Sequence, residues 1–302
     1  MRKVAIVGVE GSGKTVLLAG LGDLYSHPDE HGYFLAPKDF RTSAYVTDLI
    51  GRMRAGEWPA ATAMETFQRL EWTLRRKPDG EGRPTDICEL SCLDFAGEVY
   101  RKAFVDPDGQ IPDEIAKQVE SLWNYVEKAD CLIVLINLSD VITHGITNRR
   151  VHESLWVTNA LLEAALKERP GRVTPKTAIV LSQADAYTDT IKVCGGVKGV
   201  IEKYLPHLYN SFSWLDIFAV HAVDKTKLDD EGNTVPDPKF TTEGLRPIMK
   251  WILGNDDLQT SVDVKAQKSA APQPENTKWA LWAFLGMVII LIIFCKYQLK
   301  HA

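Results

Sequence analysis

Residues 8–15 read GVEGSGKT and follow directly on the apolar run VAIV at 4–7. An apolar run, a glycine-rich loop and a helix start, in that order, fit the pattern G-x-x-x-x-G-K-[ST] of a phosphate cradle. The chemistry follows from the residue types. Glycines let the chain curl so that successive N–H groups face one anion, and the N-terminus of the following helix adds favourable dipole charge. Gly8, Glu10, Gly11, Ser12, Gly13 and Val16 set this backbone around the phosphates. Lys14 reaches the β- and γ-phosphate oxygens, and Thr15 offers its hydroxyl to Mg²⁺.

The remaining chain must build a frame that holds this loop. Strands are predicted at 3–7, 67–75, 86–93, 131–138, 177–182 and 214–220, and helices at 15–25, 113–128, 151–168, 197–204 and 242–253. The runs at 131–138 and 177–182 are almost continuously apolar, as in parallel strands buried on both faces. The strands at 67–75 and 86–93, joined by KPDGEGRP, predict a hairpin. The expectation is an α/β fold whose six-stranded sheet has five parallel strands and one antiparallel, with helices on both faces.

That order of elements resembles the Ras-like GTPase fold over residues 1–254. A phosphate loop and helix are followed by a long loop, an antiparallel hairpin strand, and a strand ending in D-x-x-G, here DFAG at 94–97. The resemblance implies bound GTP or GDP with Mg²⁺, Asp94 contacting the metal through water, and the Gly97 amide sensing the γ-phosphate. Where the family has N-K-x-D, this chain reads SQAD at 182–185. Asp185 can accept from guanine N1–H and N2–H₂, a pairing adenine cannot make, or it can simply cap the next turn. Gln183 stands in place of the lysine whose stem packs on the base. Ser182 stands in place of the asparagine that ties this motif to the phosphate loop, so weaker binding is expected. His221 and Ala222 occupy the last base-contacting loop without the usual Ser–Ala pair, and His221 is otherwise a plain loop residue.

Two switch segments follow from the same resemblance. Residues 26–66 are expected to form a long first switch loop containing GEWPAAT, with Thr62 as the Mg²⁺ ligand and Thr66 as its rival. Trp58 and Pro59 either belong to this switch or plug the core beneath it. Residues 94–112 are expected to form a mobile second switch. The family often carries glutamine after D-x-x-G to orient the attacking water, whereas Glu98 stands here. Its carboxylate can position water or act as a base, but it brings negative charge towards the γ-phosphate, so slow or partner-dependent hydrolysis is expected. Arg101 either supplies positive charge in cis or pairs with Glu98. The style of the loop and of GEWPAAT resembles divergent bacterial members of the family. The resemblance also implies an effector partner, cytosolic or in the membrane, and allows a nucleotide-dependent dimer. A nucleotide-bound scaffold that does not hydrolyse and an ATPase or phosphotransferase on the same loop are the alternatives.

Composition separates the chain into parts. Residues 279–295, WALWAFLGMVIILIIFC, carry no charge and are bracketed by Lys278 and Lys296. At ~1.5 Å per residue they span roughly 25 Å, enough to predict a transmembrane helix contacting a lipid bilayer. Residues 255–278 are polar and contain prolines, predicting a flexible linker, and 296–302 are a short tail. The start MRKVAIVG is too short for a signal peptide, so the folded part is expected in the cytoplasm. The net charge of −5 and the lack of a basic stripe argue against nucleic acid as a partner. The five cysteines have no metal-binding spacing, and Cys88 and Cys92 are expected on one strand face as reduced, buried thiols. Trp156, with Leu155, Leu161 and Leu162, is expected to pack in the core.

Overall fold

The computed structural model describes residues 1–59, 68–78, 81–94, 97–104, 113–167 and 173–254. Residues 1–254 form one compact unit. The linker at 255–278, the apolar stretch at 279–295 and the tail at 296–302 lie outside the described residues. Among the described residues, no helix is long and apolar enough to cross a membrane.

The chain opens with β1 (Arg2–Val7) and α1 (Lys14–Leu24), then β2 (Tyr33–Pro37), α2 (Phe40–Arg54), β3 (Gln68–Arg76) and β4 (Thr85–Asp94). Next come α3 (Gly97–Phe104), α4 (Asp113–Glu127), β5 (Cys131–Asn137), α5 (Leu138–His144), α6 (Arg149–Leu166) and β6 (Lys176–Ser182). Three short helices, α7 (Thr188–Val193), α8 (Val197–Tyr204) and α9 (Pro206–Phe212), lead to β7 (Asp216–Ala219). The unit closes with β8 (Thr226–Leu228), β9 (Thr234–Pro236) and α10 (Arg246–Leu253).

Seven strands form the main sheet in the order β2-β3-β4-β1-β5-β6-β7. Its four parallel pairs are β1 with β4, β1 with β5, β5 with β6, and β6 with β7. Only β3 runs against the rest, because it pairs antiparallel with both β2 and β4. The single antiparallel strand and the 67–75/86–93 hairpin are therefore as expected, but the sheet has seven strands rather than six. The side chains of β1 show how both faces are filled. Ala5 and Val7 join the cluster under α4, α6 and α8, whereas Val4 and Ile6 join the one under α1 and α10. Cys88 and Cys92 share the second cluster, and burial pushes the Cys88 thiol up to about 11, so it stays protonated at neutral pH. Tyr125 of α4 crosses over the β1–β4 pair, its hydroxyl donating to Ser91 O and accepting from Ile6 N.

Three expectations change. Residues 26–66 are not one loop, since β2 and α2 lie within them. The polar sequence of α2 hides a narrow stripe of Thr42, Val46, Leu49 and Met53, spaced three or four apart and all buried. Asp39 starts the helix by accepting the Thr42 N–H at 2.7 Å, and this bond first of all holds its carboxyl below the usual range. The second switch segment is likewise partly helical, because α3 buries Val99, Tyr100 and Ala103 against the sheet. Residues 95–96 and 105–112 lie outside the described residues. Trp156 is 56% exposed rather than core, because α6 buries Val151, Thr158, Leu161, Leu162 and Ala165, and position 156 falls off that stripe.

Candidate functional site

The loop between β1 and α1 has the backbone its glycines allow. Gly11 (φ 74°) and Gly13 (φ 86°) are left-handed, and Gly13 is the N-cap of α1. Among the described residues no side chain caps the N-terminus of α1, and its first turn carries no acid that would repel an anion there. A Cβ on Gly8 would stand 2.5 Å from Ser12 Oγ and 3.0 Å from Leu135 O, so only glycine fits beneath the loop. Lys14 is buried. Its Nζ donates to Gly8 O at 2.8 Å and Val9 O at 3.1 Å, and it lies 5.7 Å from the centre of the Tyr100 ring of α3. These contacts hold the cation folded over the loop, where an anion seated on the loop N–H groups would meet it. Ser12 is buried, Gly11 and Glu10 are exposed, and Thr15 and Val16 are half-buried in the first turn of α1.

Neighbouring strands hold the loop from beneath. Ser182, at the end of β6, donates through Oγ to Ser12 O at 2.9 Å. The serine thus ties the end of β6 to the phosphate loop. Asn137, at the end of β5, donates through Nδ2 to Gly11 O at 3.1 Å while its Oδ1 accepts the Asp140 N–H that starts α5. Sequence reasoning missed Asn137. Its signal is a lone amide closing the apolar run CLIVLI.

The residues expected to read the base gather around one cleft of about 520 Å³ beside the loop. Gly13 and Val16 line its floor, Gln183 and Asp185 one side, and His221 and Ala222 another. Asp185 is half-buried at the start of a 3₁₀ turn and is the one carboxylate among the described lining residues. Gln183 adopts φ 56°, the one positive φ among described non-glycine residues. Such backbone strain is tolerated where the surroundings impose it, and it often marks binding loops. His221 is held against Gly244, where a Cβ would come within 2.4 Å of the imidazole. Trp58 and Thr234 line the cleft as well, and the Trp58 indole N–H donates to Thr234 O at 2.8 Å. Trp58 is 42% exposed and does not plug the core.

A second cavity, of about 460 Å³, adjoins the other side of the loop and is lined by Glu10, Ser12, Asn137, Arg101 and Arg150 among others. The β1–β4 register pairs Ile6 with Cys92, so Asp94 closes β4 level with Gly8, where the phosphate loop begins. Gly97 and Glu98 open α3. Thr62 and its rival Thr66 lie outside the described residues. Among the described residues, no group of three or more His, Cys, Asp or Glu gathers as a metal site. The donor set at Thr15 and Asp94, both oxygen, suits Mg²⁺.

No protein-family model matches the chain, and neither does any curated protein. Solved structures similar to it include the Arl6 BBS3 small GTPase from Trypanosoma brucei with bound GppNp. It shares 15% identity over 84% of this chain and 95% of that one, at a TM-score of 0.38. The S. cerevisiae Ski7 GTPase-like domain is similar both with GTP (10% identity, TM-score 0.43) and with GDP and inorganic phosphate (12%, 0.40). Each covers 86% of this chain, which spans about half (51%) of the Ski7 chains. At such scores the functional reading rests on the site's own geometry.

Proposed function

We propose that the chain is a guanine-nucleotide switch that binds GTP and GDP with Mg²⁺. One observation supports the reading: a left-handed glycine loop that holds a buried lysine adjoins a cleft whose described lining includes a single carboxylate, Asp185. Phosphates would take the loop and α1 N–H groups, and Lys14 would meet the β- and γ-oxygens. Asp185 would accept from guanine N1–H and N2–H₂; adenine offers neither donor and would leave a half-buried acceptor unpaired. Thr15 and Thr62, with Asp94 through water, are the residues that would hold Mg²⁺, which neutralises charge developing on the phosphate oxygens when bound.

Hydrolysis in this reading is slow. Glu98 occupies the position after D-x-x-G and would orient the attacking water while adding negative charge near the γ-phosphate. That charge favours a switch that waits for an activating partner, and it also supports a second reading in which the nucleotide is structural and is not turned over. The ATPase or phosphotransferase alternative fits less well, because such members are expected to have all-parallel sheets and β3 runs antiparallel. The GTP state would present α3 and the switch segments to a cytosolic or membrane effector, or to a second copy of the chain. Residues 279–295 would tether the unit to a bilayer with its site in the cytoplasm.

Replacing Asp185 with asparagine tests the base reading. The Asp185→Asn protein should lose GTP affinity and gain affinity for XTP, whose C2 oxygen pairs with the new amide. An unchanged GTP:XTP ratio would remove Asp185 from the base pocket.

A further inference from the structure

The cleft beside the phosphate loop is lined in part by two pieces that the resemblance does not account for: Trp58, in the turn that follows α2, and Thr226 and Thr234 of the β8–β9 hairpin. Both are built elements. Helix α2 ends in a paired turn, with the Gly56 N–H on Met53 O (3.1 Å) and the Glu57 N–H on Arg52 O (3.0 Å), and with Gly56 left-handed at φ 86°. That turn carries the chain onto the hairpin. A Cβ on Gly56 would lie 3.6 Å from Pro236 O and 3.8 Å from Lys227 Cε, so it faces both hairpin strands. Beneath it, Leu49 and Met53 of α2 form a separate apolar cluster with Ala19 of α1 and with Val223 and Phe240, which flank the hairpin. The Arg54 guanidinium caps this cluster at 5.1 Å from the Phe240 ring. At the hairpin's base Asp224 accepts from Thr241 N and Oγ1, and in its turn Asp229 accepts from Glu231 N and Asn233 N.

Trp58 stands where this module meets the cleft. Its N–H is fixed on Thr234 O, so the indole plane is held at the hairpin while its ring lines the same cavity as Gln183 and Asp185. Gln183 brings neither an aromatic face nor a long apolar stem to that cavity, and the described lining residues offer Trp58 as the one large planar surface. An indole pre-set by a hydrogen bond loses little freedom when a flat ring lies against it.

We infer that the turn after α2 and the β8–β9 hairpin form a clamp on the nucleotide base, with Trp58 as the face on which a purine stacks. The inference rests on the nucleotide reading above and deepens it. Stacking of this kind is indifferent to which purine is present, so Asp185 chooses the base and Trp58 retains it. Retention appears mainly in the dissociation rate.

The test uses the full chain in mild detergent, with GDP carrying a fluorescent group on its ribose, and with tripolyphosphate as a ligand that has no base. Trp58→Ala should release the nucleotide about 10- to 100-fold faster while its affinity for tripolyphosphate stays within about twofold of the wild type. Trp58→Phe keeps a ring but loses the bond to Thr234, and should fall between the two. Binding should also quench indole emission in the wild type and in Trp214→Phe, whose residue 214 lies outside the cleft, but far less in Trp58→Phe. Equal release rates for wild type and Trp58→Ala, with both folded by circular dichroism, would overturn the clamp and leave the nucleotide reading standing. A wild type that binds neither GDP nor tripolyphosphate would overturn both.

Discussion

Removing one hydroxyl under the phosphate loop should weaken the whole site. Ser182 Oγ donates to Ser12 O at 2.9 Å between two residues that are 6% and 1% exposed, so little solvent reaches the bond. Ser182→Ala leaves the Ser12 carbonyl without this donor. A neutral hydrogen bond is worth about 1 kcal/mol net, and a buried acceptor left unpaired costs about 1–3 kcal/mol. A loss of about 1–2 kcal/mol is therefore expected. If the loop keeps its shape without nucleotide, that cost appears as a melting temperature lower by roughly 2–8 °C in a unit of this size. If the loop relaxes when empty and must be restored on binding, it appears as about 5- to 30-fold weaker nucleotide affinity. Ser182→Thr keeps the hydroxyl and should lose less. Thermal unfolding of the free protein and titration with a fluorescent guanine nucleotide, done in parallel, measure both terms. Unchanged melting and unchanged affinity together would refute the claim that β6 holds the loop.

Further expectations follow from single positions. Gly51 sits inside α2, and a methyl added there would meet nothing within 4 Å. Gly51→Ala should therefore raise the melting temperature by roughly 2–4 °C, since alanine is favoured over glycine in a helix by about 1 kcal/mol; a lower melting point would mean α2 is not helical there. Gly8→Ala should have the opposite effect, because its methyl would collide with Ser12 Oγ and Leu135 O, and nucleotide binding should weaken by about tenfold or more. Acid should loosen the clamp region. The Thr42 N–H holds Asp39 below its usual range, and at Asp224 burial pushes upward but the Thr241 N–H and hydroxyl outweigh it. Groups depressed in the folded state stabilise it above about pH 4 and stop doing so as pH falls through their lowered values. Melting temperature should therefore stay flat from about pH 8 to 5 and drop below about pH 4; a rise on acidification would contradict these assignments. Ending the chain at residue 254 should move it from the membrane fraction to the soluble one, and continued sedimentation with membranes would point to a second anchor.

How far the sequence reveals this molecule depends on how local each cause is. The phosphate loop is legible because its glycines, lysine and flanking strand all lie within residues 1–15 and each type has one physical use there. The strands β1, β5 and β6 are legible because they are buried on both faces and read as unbroken apolar runs. Helix α2 is not, because only one narrow stripe of it is apolar and its cap, Asp39, resembles any loop aspartate. The short strand β2 is recognisable only once β3 is there to pair with it. Asp185 and His221 stand out through their places after strands, and the cleft gathers them. Asn137 and Trp58 do not stand out as site residues, because their partners Gly11 and Thr234 lie 126 and 176 residues away in sequence. Contacts of that range are set by topology and leave no local pattern.

The central claim, that Asp185 and the phosphate loop form one guanine-nucleotide site, is tested most directly by competition binding. The protein, with Mg²⁺, is loaded with a fluorescent nucleotide and challenged with GTP, GDP and ATP. The account predicts that GTP and GDP displace it at concentrations about a hundredfold or more below ATP, on the order of what an unpaired acceptor against adenine would impose. ATP displacing it as well as GTP would contradict the account and leave a nucleotide site that does not read guanine.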